Sequence, residues 1–503
     1  MLPAETPRNK DLPLAVVLYC ALAAYFLPVH LHDIDPDGIS YILLAQKYAR
    51  GDLWHAVNAT WQPLFVWLLT PFMALKIPPL PAGYLLQTAC GVLVLCAGRR
   101  LALKMPLEPI PIGVFTVTLI APVLFFTFVL LTPDLLFTAL ALFYFSVVLD
   151  PAYPSGRLPV MAGLFAGLAF LAKAYALPFF LAHFALINTA KGWRTGSWKR
   201  SASAFLAGTA VFSLVIAPWV TLISVKYHKF TLSAAYGLNL SASRSGKNSV
   251  PPGFYAPPDN TAVSVWQDPS GIAFPVQRLG GMEFLKREAK TVLDNFRTAF
   301  GVLDRFSPVA IALLIFGFVF SGASSKALVA SAALFIAGFL PVNMEARYIW
   351  PALVLLVILA FVLAARVLRE APVPLQKNAA LLLLSFSFIA WPLAKMEFEV
   401  PRFDRLQKIC DNLRAQGVKG RIASSAAWID SLYIAYFIDA VYYGKRPAEM
   451  PEEELRRQLA RNRIDYYFVW QPGPVPSFLR GHREIDVGRI QGLRVFKVAG
   501  GQG

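Results

Sequence analysis

Charged side chains are scarce in this chain: of its 503 residues only 15% are Asp, Glu, Lys or Arg, while 56% are hydrophobic. Soluble domains carry about a quarter charged residues. With a mean hydropathy of +0.53, too little polar surface exists to cover the apolar mass. That excludes a soluble protein, a disordered chain and a collagen-like repeat. Acid is scarcer than base, 30 residues against 47, for a formal net charge of +17. Much of the excess sits in short loops between apolar runs, where Lys and Arg set membrane orientation, so it does not point to nucleic acid. Cysteine numbers only four. Cys20, Cys90 and Cys96 lie in apolar runs and Cys410 in the polar C-terminal part, which leaves neither a disulfide framework nor a zinc spacing. Internal repeats are missing too, and with them the repeat symmetry on which many transporters are built.

What is present is a series of apolar runs of helical length, rich in Leu, Ala, Phe and Val, the pattern of a helix bundle rather than an outer-membrane barrel. They fall near residues 12–29, 81–98, 108–131, 134–149, 158–172, 174–189, 202–223, 307–322, 327–343, 348–365 and 377–394. A further stretch, QPLFVWLLTPFMALKI over 62–77, is expected to lie at the outer interface or dip into it. Counting it as a span would move the basic loop KGWRTGSWKR outside, against the positive-inside tendency. The expected architecture is a multi-pass α-helical membrane protein of about 11 transmembrane helices. Its N-terminus is cytoplasmic, and its first run is a retained span rather than a cleaved signal peptide. Three pieces then face outward. They are the loop 30–80, the Gly-, Pro-, Ser- and Asn-rich loop 224–306, expected to be a mobile substrate-binding loop, and a small α/β domain. The membrane domain takes residues 1–395 and the soluble domain 396–503, where RIASS, IDYYFVW and LRVFKVA read as strands between helical segments.

The first outward loop opens HLHDIDPDGISYILLAQKYARGD, so Asp33, Asp35 and Asp37 emerge where the first span leaves the membrane. Asp37 is expected to cap the following amphipathic helix, which Gly51 closes. Either this is a solvated acidic turn with a cap, or a carboxylate held rigidly at the interface as a general base; pattern alone does not separate the two. Asp134, in LLTPDLLFTALAL, is a lone carboxylate at membrane depth and by default a functional candidate, with capping after Pro133 as its ordinary alternative. Lys173 interrupts GLAFLAKAYALPFF, where snorkelling is the ordinary alternative. Arg347, with Glu345 beside it in NMEARYIWP, completes the set. In a topology chosen on loop charge, all of them fall on the outer side. An anionic base with cationic anchors suits a phosphate-bearing lipid and a hydroxyl nucleophile. His30 and His32 with Asp33 lack a third ligand, so no metal is assigned. Trp54, Trp61 and Trp67 read as interfacial anchors, with stacking of one of them on sugar as the alternative. Arg244, Lys247, Tyr236 and Tyr255 of the long loop read as surface residues within possible reach of a lipid phosphate or acceptor.

These segments resemble the GT-C membrane glycosyltransferases, nearest the protein O-mannosyltransferase and lipid A aminoarabinose transferase group. DPDGISYILLAQKYARGD followed by NATWQPLFVWLLTPF looks like that group's first outer loop: an acidic residue, here Asp37, precedes a tyrosine, here Tyr41, and an amphipathic helix, with Gln62 to Leu68 as the second element. LLTPDLLFTALAL is similar to the second acidic motif, GLAFLAKAYALP to a Gly-Leu-x-x-Leu-x-Lys motif, and EARYIWPALVLL to an Arg-Tyr-x-x-Pro segment. The likeness covers about residues 12–365. It departs where protein mannosyltransferases have an acidic pair and this chain has Asp37-Gly38, with Asp33 and Asp35 as competing bases.

The resemblance implies an enzyme that moves a sugar from a polyprenyl-phosphate donor to a lipid, glycan or protein hydroxyl on the outer face. Because the phosphate is already a good leaving group, one base and cations for the departing phosphate suffice, and a single displacement inverts the anomeric carbon. Asp37 is then the base or the organiser of the acceptor, and Asp134 the second acidic residue. Lys173 and Arg347 hold the phosphate, while Tyr41, Glu345 and Asp35 complete the substrate site. No cofactor is expected. The expected location is a bacterial inner membrane with the site facing the periplasm, although a luminal site in the endoplasmic reticulum would look alike. A flippase or transporter, and a ligase of whole lipid-linked glycans on the same fold, are the competing readings.

Overall fold

A backbone in lipid must satisfy its hydrogen bonds internally, so apolar runs become helices. The computed structural model describes residues 10–244, 251, 253–272, 280–309, 312, 315, 322–369, 374–398, 400–470, 476–487 and 492–498. Helix α1 (Asp11–Phe26) leads into the outer loop, which folds as α2 (Pro36–Ala49) and α3 (Pro63–Ala74). Then come α4 (Pro79–Ala102), the pair α5 (Pro109–Thr118) and α6 (Ile120–Val129), α7 (Asp134–Val148), α8 (Leu158–Ala172), α9 (Ala176–Thr195) and α10 (Trp198–Lys226). After α11 (Ala235–Arg244) and α12 (Gly281–Phe306) the apolar series resumes with α13 (Ala323–Ala337), α14 (Trp350–Leu368) and α15 (Pro374–Phe398). Each expected span thus falls on a described helix except 307–322, most of which lies outside the described residues. Among the described residues six helices are long and apolar enough to cross a membrane, and shorter apolar helices cover 63–74, 134–148, 158–172 and 325–337. The protein is an integral membrane protein.

Helix α3 has 12 residues, about 18 Å at 1.5 Å per residue, against a hydrocarbon core of about 30 Å. It packs on α2, α4 and α8. In the bundle, helices approach through small residues: a Cβ added to Gly163 of α8 would stand 2.1 Å from the Gly208 carbonyl oxygen of α10. A polar clamp ties α7, α9 and α13 together: Tyr144 Oη donates to His183 Nδ1 at 2.8 Å, and His183 Nε2 donates at 2.8 Å to Ser331 Oγ, whose own proton goes to Ala327 O.

The C-terminal segment opens with α16 (Val400–Ala415) and alternates β1 (Arg421–Ser424), α17 (Trp428–Phe437), β2 (Val441–Lys445), α18 (Glu452–Arg461) and β3 (Tyr466–Trp470), then β4 (Arg483–Ile485) and β5 (Leu493–Lys497). The sheet order is β2-β1-β3-β5-β4, parallel across β2, β1 and β3 and antiparallel beyond. Three of these strands, β1, β3 and β5, are the ones expected from RIASS, IDYYFVW and LRVFKVA. Strands β2 and β4 are additional, the first carrying Tyr-Tyr-Gly and the second only three residues long.

The loop 224–306 differs from the mobile loop expected. Residues 281–306 form one long amphipathic helix, with Ala299, Leu303 and Phe306 buried. Residues 253–272 are stitched to the sheet edge. Tyr255 N donates to Tyr443 O at 2.8 Å, and Tyr442 N donates to Val263 O at 2.7 Å. Gly444 sits at φ 133°, where a Cβ would meet the Gly253 carbonyl at 2.3 Å, so only glycine admits this contact. Lys47, almost wholly buried on α2, pairs with Asp259 from the other side.

Candidate active site

Helix α2 begins at Pro36, and its N-cap is Asp35: the Asp35 Oδ1 accepts the Gly38 N–H at 3.0 Å with Asp35 in extended backbone. This corrects the expectation that Asp37 caps the helix. Asp37 lies in the first turn and turns its carboxylate into a cavity of about 490 Å³. Gly38 is what the first turn requires, because a Cβ there would stand 3.0 Å from the Leu131 carbonyl oxygen and 2.9 Å from Asp35 Oδ1. The glycine after Asp37, which departs from the acidic pair, therefore lets α2 lie directly on the approach to α7.

Asp37 accepts two hydrogen bonds, from Arg347 Nη2 at 2.8 Å and from Trp266 Nε1 at 2.9 Å. Arg347 also donates from Nε to Glu345 Oε2 at 2.8 Å, and stands 3.9 Å from both Asp35 and Asp134. Lys173 Nζ donates to Asp134 Oδ1, whose other oxygen accepts Thr132 Oγ1 at 2.8 Å. The Lys173 ammonium lies 3.9 Å over the Tyr348 ring, whose hydroxyl donates to Glu345 at 3.1 Å. So all the sequence-predicted residues, Asp35, Asp37, Tyr41, Asp134, Lys173, Glu345 and Arg347, line one cavity. It forms where α1 ends, α7 begins, α8 ends and α14 begins.

Electrostatics differ among the carboxyls. Asp35 is driven up to about 7, first by burial and then by the charge of Asp37, with Arg347 opposing. The Tyr41 phenol is held well above its usual range by burial, with Asp37 adding to the effect. Asp33 also lines the cavity, and His30 Nδ1 is 2.7 Å from Asp33 Oδ2, so these two pair with each other. Among the described residues, no group of three or more His, Cys, Asp or Glu is placed to hold a metal ion.

Trp266 and Trp428, which no sequence motif marks, also line the cavity. Trp266 reaches Asp37, and Trp428, from the first turn of α17, lines the cavity with its ring 5.2 Å from that of Trp266. Nothing local distinguishes either tryptophan; only the stitching of residues 253–272 to β2 brings the first to the site. Trp61 is also corrected. Unlike the half-exposed Trp54, it is buried and lines the cavity, with its Nε1 donating to Trp266 O at 3.1 Å. Tyr236 and Tyr255 do not line it; the Arg244 side chain and Lys247 lie outside the described residues.

No protein-family model matches the sequence, and comparison with curated proteins finds no match. Solved structures do match in shape. ArnT from Cupriavidus metallidurans, solved with undecaprenyl phosphate bound, superposes with a TM-score of 0.61 over 97% of this chain and 99% of that one, at 13% identity. Its apo form gives 0.59 over the same shares at 16% identity. The Archaeoglobus fulgidus oligosaccharyltransferase gives 0.57 over 92% of this chain and 70% of that one, at 11% identity. The chain therefore has the GT-C membrane glycosyltransferase fold.

Proposed function

We propose that the protein is a glycosyltransferase that takes a sugar from a polyprenyl-phosphate donor and places it on an acceptor hydroxyl. The observation that carries this reading is the convergence of Asp37, Asp134, Lys173 and Arg347 in one cavity, from the first turn of α2 and the ends of separate apolar helices, on a fold shared with ArnT. Buried charge of this kind is costly at membrane depth and is kept for chemistry. The gathering of these four charged residues in one cavity favours a transferase over a transporter with charges along a path.

In the reaction proposed, the acceptor oxygen attacks the anomeric carbon as the bond from that carbon to the phosphate oxygen breaks, so the configuration inverts. Each Asp37 oxygen accepts one hydrogen bond and keeps a lone pair; one of them takes the acceptor proton. Arg347 fixes Asp37 and balances the charge around it. Lys173, which has one carboxylate partner and an 18% exposed side chain, is free to turn towards the departing phosphate. Asp134 holds Lys173 until then. Donor chemistry follows the bound lipid of the ArnT structure. The acceptor is a lipid, glycan or protein hydroxyl, and the membrane is a bacterial inner membrane with the cavity open to the periplasm.

The test is release of polyprenyl phosphate by the purified protein in lipid nanodiscs, supplied with a panel of radiolabelled polyprenyl-phosphate sugars and cell-envelope extract as acceptor. Sugar-specific release supports the reading. Absence of release with every donor overturns it.

A further inference from the structure

Helix α12 is amphipathic along its length, yet its buried residues, Ala299, Leu303 and Phe306, all lie towards its C-terminal end. At about 100° per residue its side chains fall into three sectors. Arg287, Glu288, Thr291, Asn295 and Ala299, none of them exposed, share the flank that meets the bundle. Met282, Leu285, Val292, Leu293, Phe296 and Phe300 share the next sector, an arc of about 100°, and all six are exposed. Lys286, Lys290, Asp294 and Arg297, exposed as well, fill the side beyond.

Its contacts fix its course. Asn295 Nδ2 donates to Leu340 O at 2.8 Å, just past the end of α13. From Asn295 to Phe306 the axis advances about 17 Å. There the Phe306 ring lies 6.1 Å from that of Phe126, in the last turn of α6, which stacks at 4.2 Å on Trp350 in the first turn of α14. Helix α12 also packs on Ala346–Ile349, the turn that carries Arg347. These partners all belong to the end of the bundle where the cavity forms. The helix therefore runs across the helix ends rather than beside them.

At that level the bundle leaves the bilayer. The charged sector excludes a course through the hydrocarbon, and the apolar sector is a patch that water-covered faces rarely keep open. Three sectors in this order suit a helix lying in the headgroup plane, with one side on the bundle, one in the acyl boundary and one in water. The apolar sector also continues a lipid-covered surface, because α12 packs on α15, a membrane-length helix whose Leu382, Leu383 and Phe386 are exposed. We infer that α12 is a membrane-surface helix, and that lipid of the leaflet at the cavity end of the bundle, not a protein partner, covers the stripe from Met282 to Phe300.

The experiment places an NBD fluorophore on single cysteines in the full-length protein in phosphatidylcholine nanodiscs, with Cys20, Cys90, Cys96 and Cys410 replaced by alanine. Leu285→Cys and Phe296→Cys sample the stripe, and Lys290→Cys and Arg297→Cys the charged side. A helix about 10 Å across, with one face in the acyl boundary, should make acyl-chain doxyl lipid quench the stripe labels at least about threefold more than the others. Iodide in the water should show the reverse order. Equal quenching at all four positions overturns the inference. Stripe labels shielded from both quenchers overturn it too, because a second copy or another protein then covers them. Diazirine crosslinking residues at the same four positions in the native-cysteine chain repeat the test without the alanine substitutions. Lipid adducts confined to positions 285 and 296 support the inference, and protein adducts there overturn it.

Discussion

Replacing Asp37 by asparagine removes one negative charge and almost nothing of the side chain's shape. Breaking a buried ion pair from one side commonly costs about 3–5 kcal/mol, because the remaining charge is left alone. Here it is not left alone. Arg347 keeps Glu345 at 2.8 Å and has Asp35 and Asp134 at 3.9 Å, and the new amide oxygen can still accept the Trp266 indole N–H. The expected stability loss is therefore about 1 kcal/mol or less, the scale of one ordinary hydrogen bond. Catalysis should respond on another scale. An asparagine cannot take the acceptor proton, and a positioned base contributes about 10²–10⁴-fold. Release of polyprenyl phosphate from the donor should fall at least about a hundredfold in Asp37→Asn, with donor binding and melting temperature close to wild type. Release within threefold of wild type, roughly the effect of altered positioning alone at under 1 kcal/mol, would refute the assignment of Asp37 as base. Collapse of the melting temperature would show that Asp37 acts through the fold.

Asp35 predicts a pH effect. Its carboxyl sits near 7 in the folded protein against an ordinary 3.8, so between those values the folded state holds a proton that the unfolded chain has released. Stability should then fall as pH rises from about 4 to about 7. Asp35→Asn, always neutral, should raise thermal stability at pH 8 by on the order of 2–4 kcal/mol and change little at pH 4; melting curves at both pH values check this. Lys173→Met leaves Asp134 with Thr132 and the more distant Arg347, and should destabilise by about 2–4 kcal/mol. Adding Asp134→Asn should restore stability but not donor turnover, a combination that denaturation and release assays separate. Gly163→Ala forces its new Cβ against the Gly208 carbonyl and should cost about 1–3 kcal/mol, read as lost thermal stability in detergent.

The bundle was legible in sequence because hydrophobic length and loop charge are local quantities, read one run at a time. The charged residues were legible for a related reason. A carboxylate in LLTPDLLFTALAL or a lysine in GLAFLAKAYALPFF stands out against apolar neighbours. The identity of the cap was not, since DIDPDG offers two aspartates at plausible spacing. Pro36 settles the matter by opening α2 and leaving Asp35 just outside it. Trp266 and Trp428 were illegible because their roles depend on strand pairing between segments some 180 residues apart, Ser264 with Tyr442 and Phe254 with Gly444.

The stitching of residues 253–272 to β2 has a bearing on the order in which the protein is made. Asp37 and Arg347 can meet once the bundle has inserted. The Trp266 indole, however, is held at Asp37 by a segment whose backbone partners, Tyr442 and Tyr443, lie near the end of the chain. A ribosome that has delivered every apolar helix has therefore not yet delivered the strand that completes the candidate site. The last hundred or so residues thus act as a timer: Asp37 gains its second hydrogen bond only once residues 253–272 have a completed β2 to pair with.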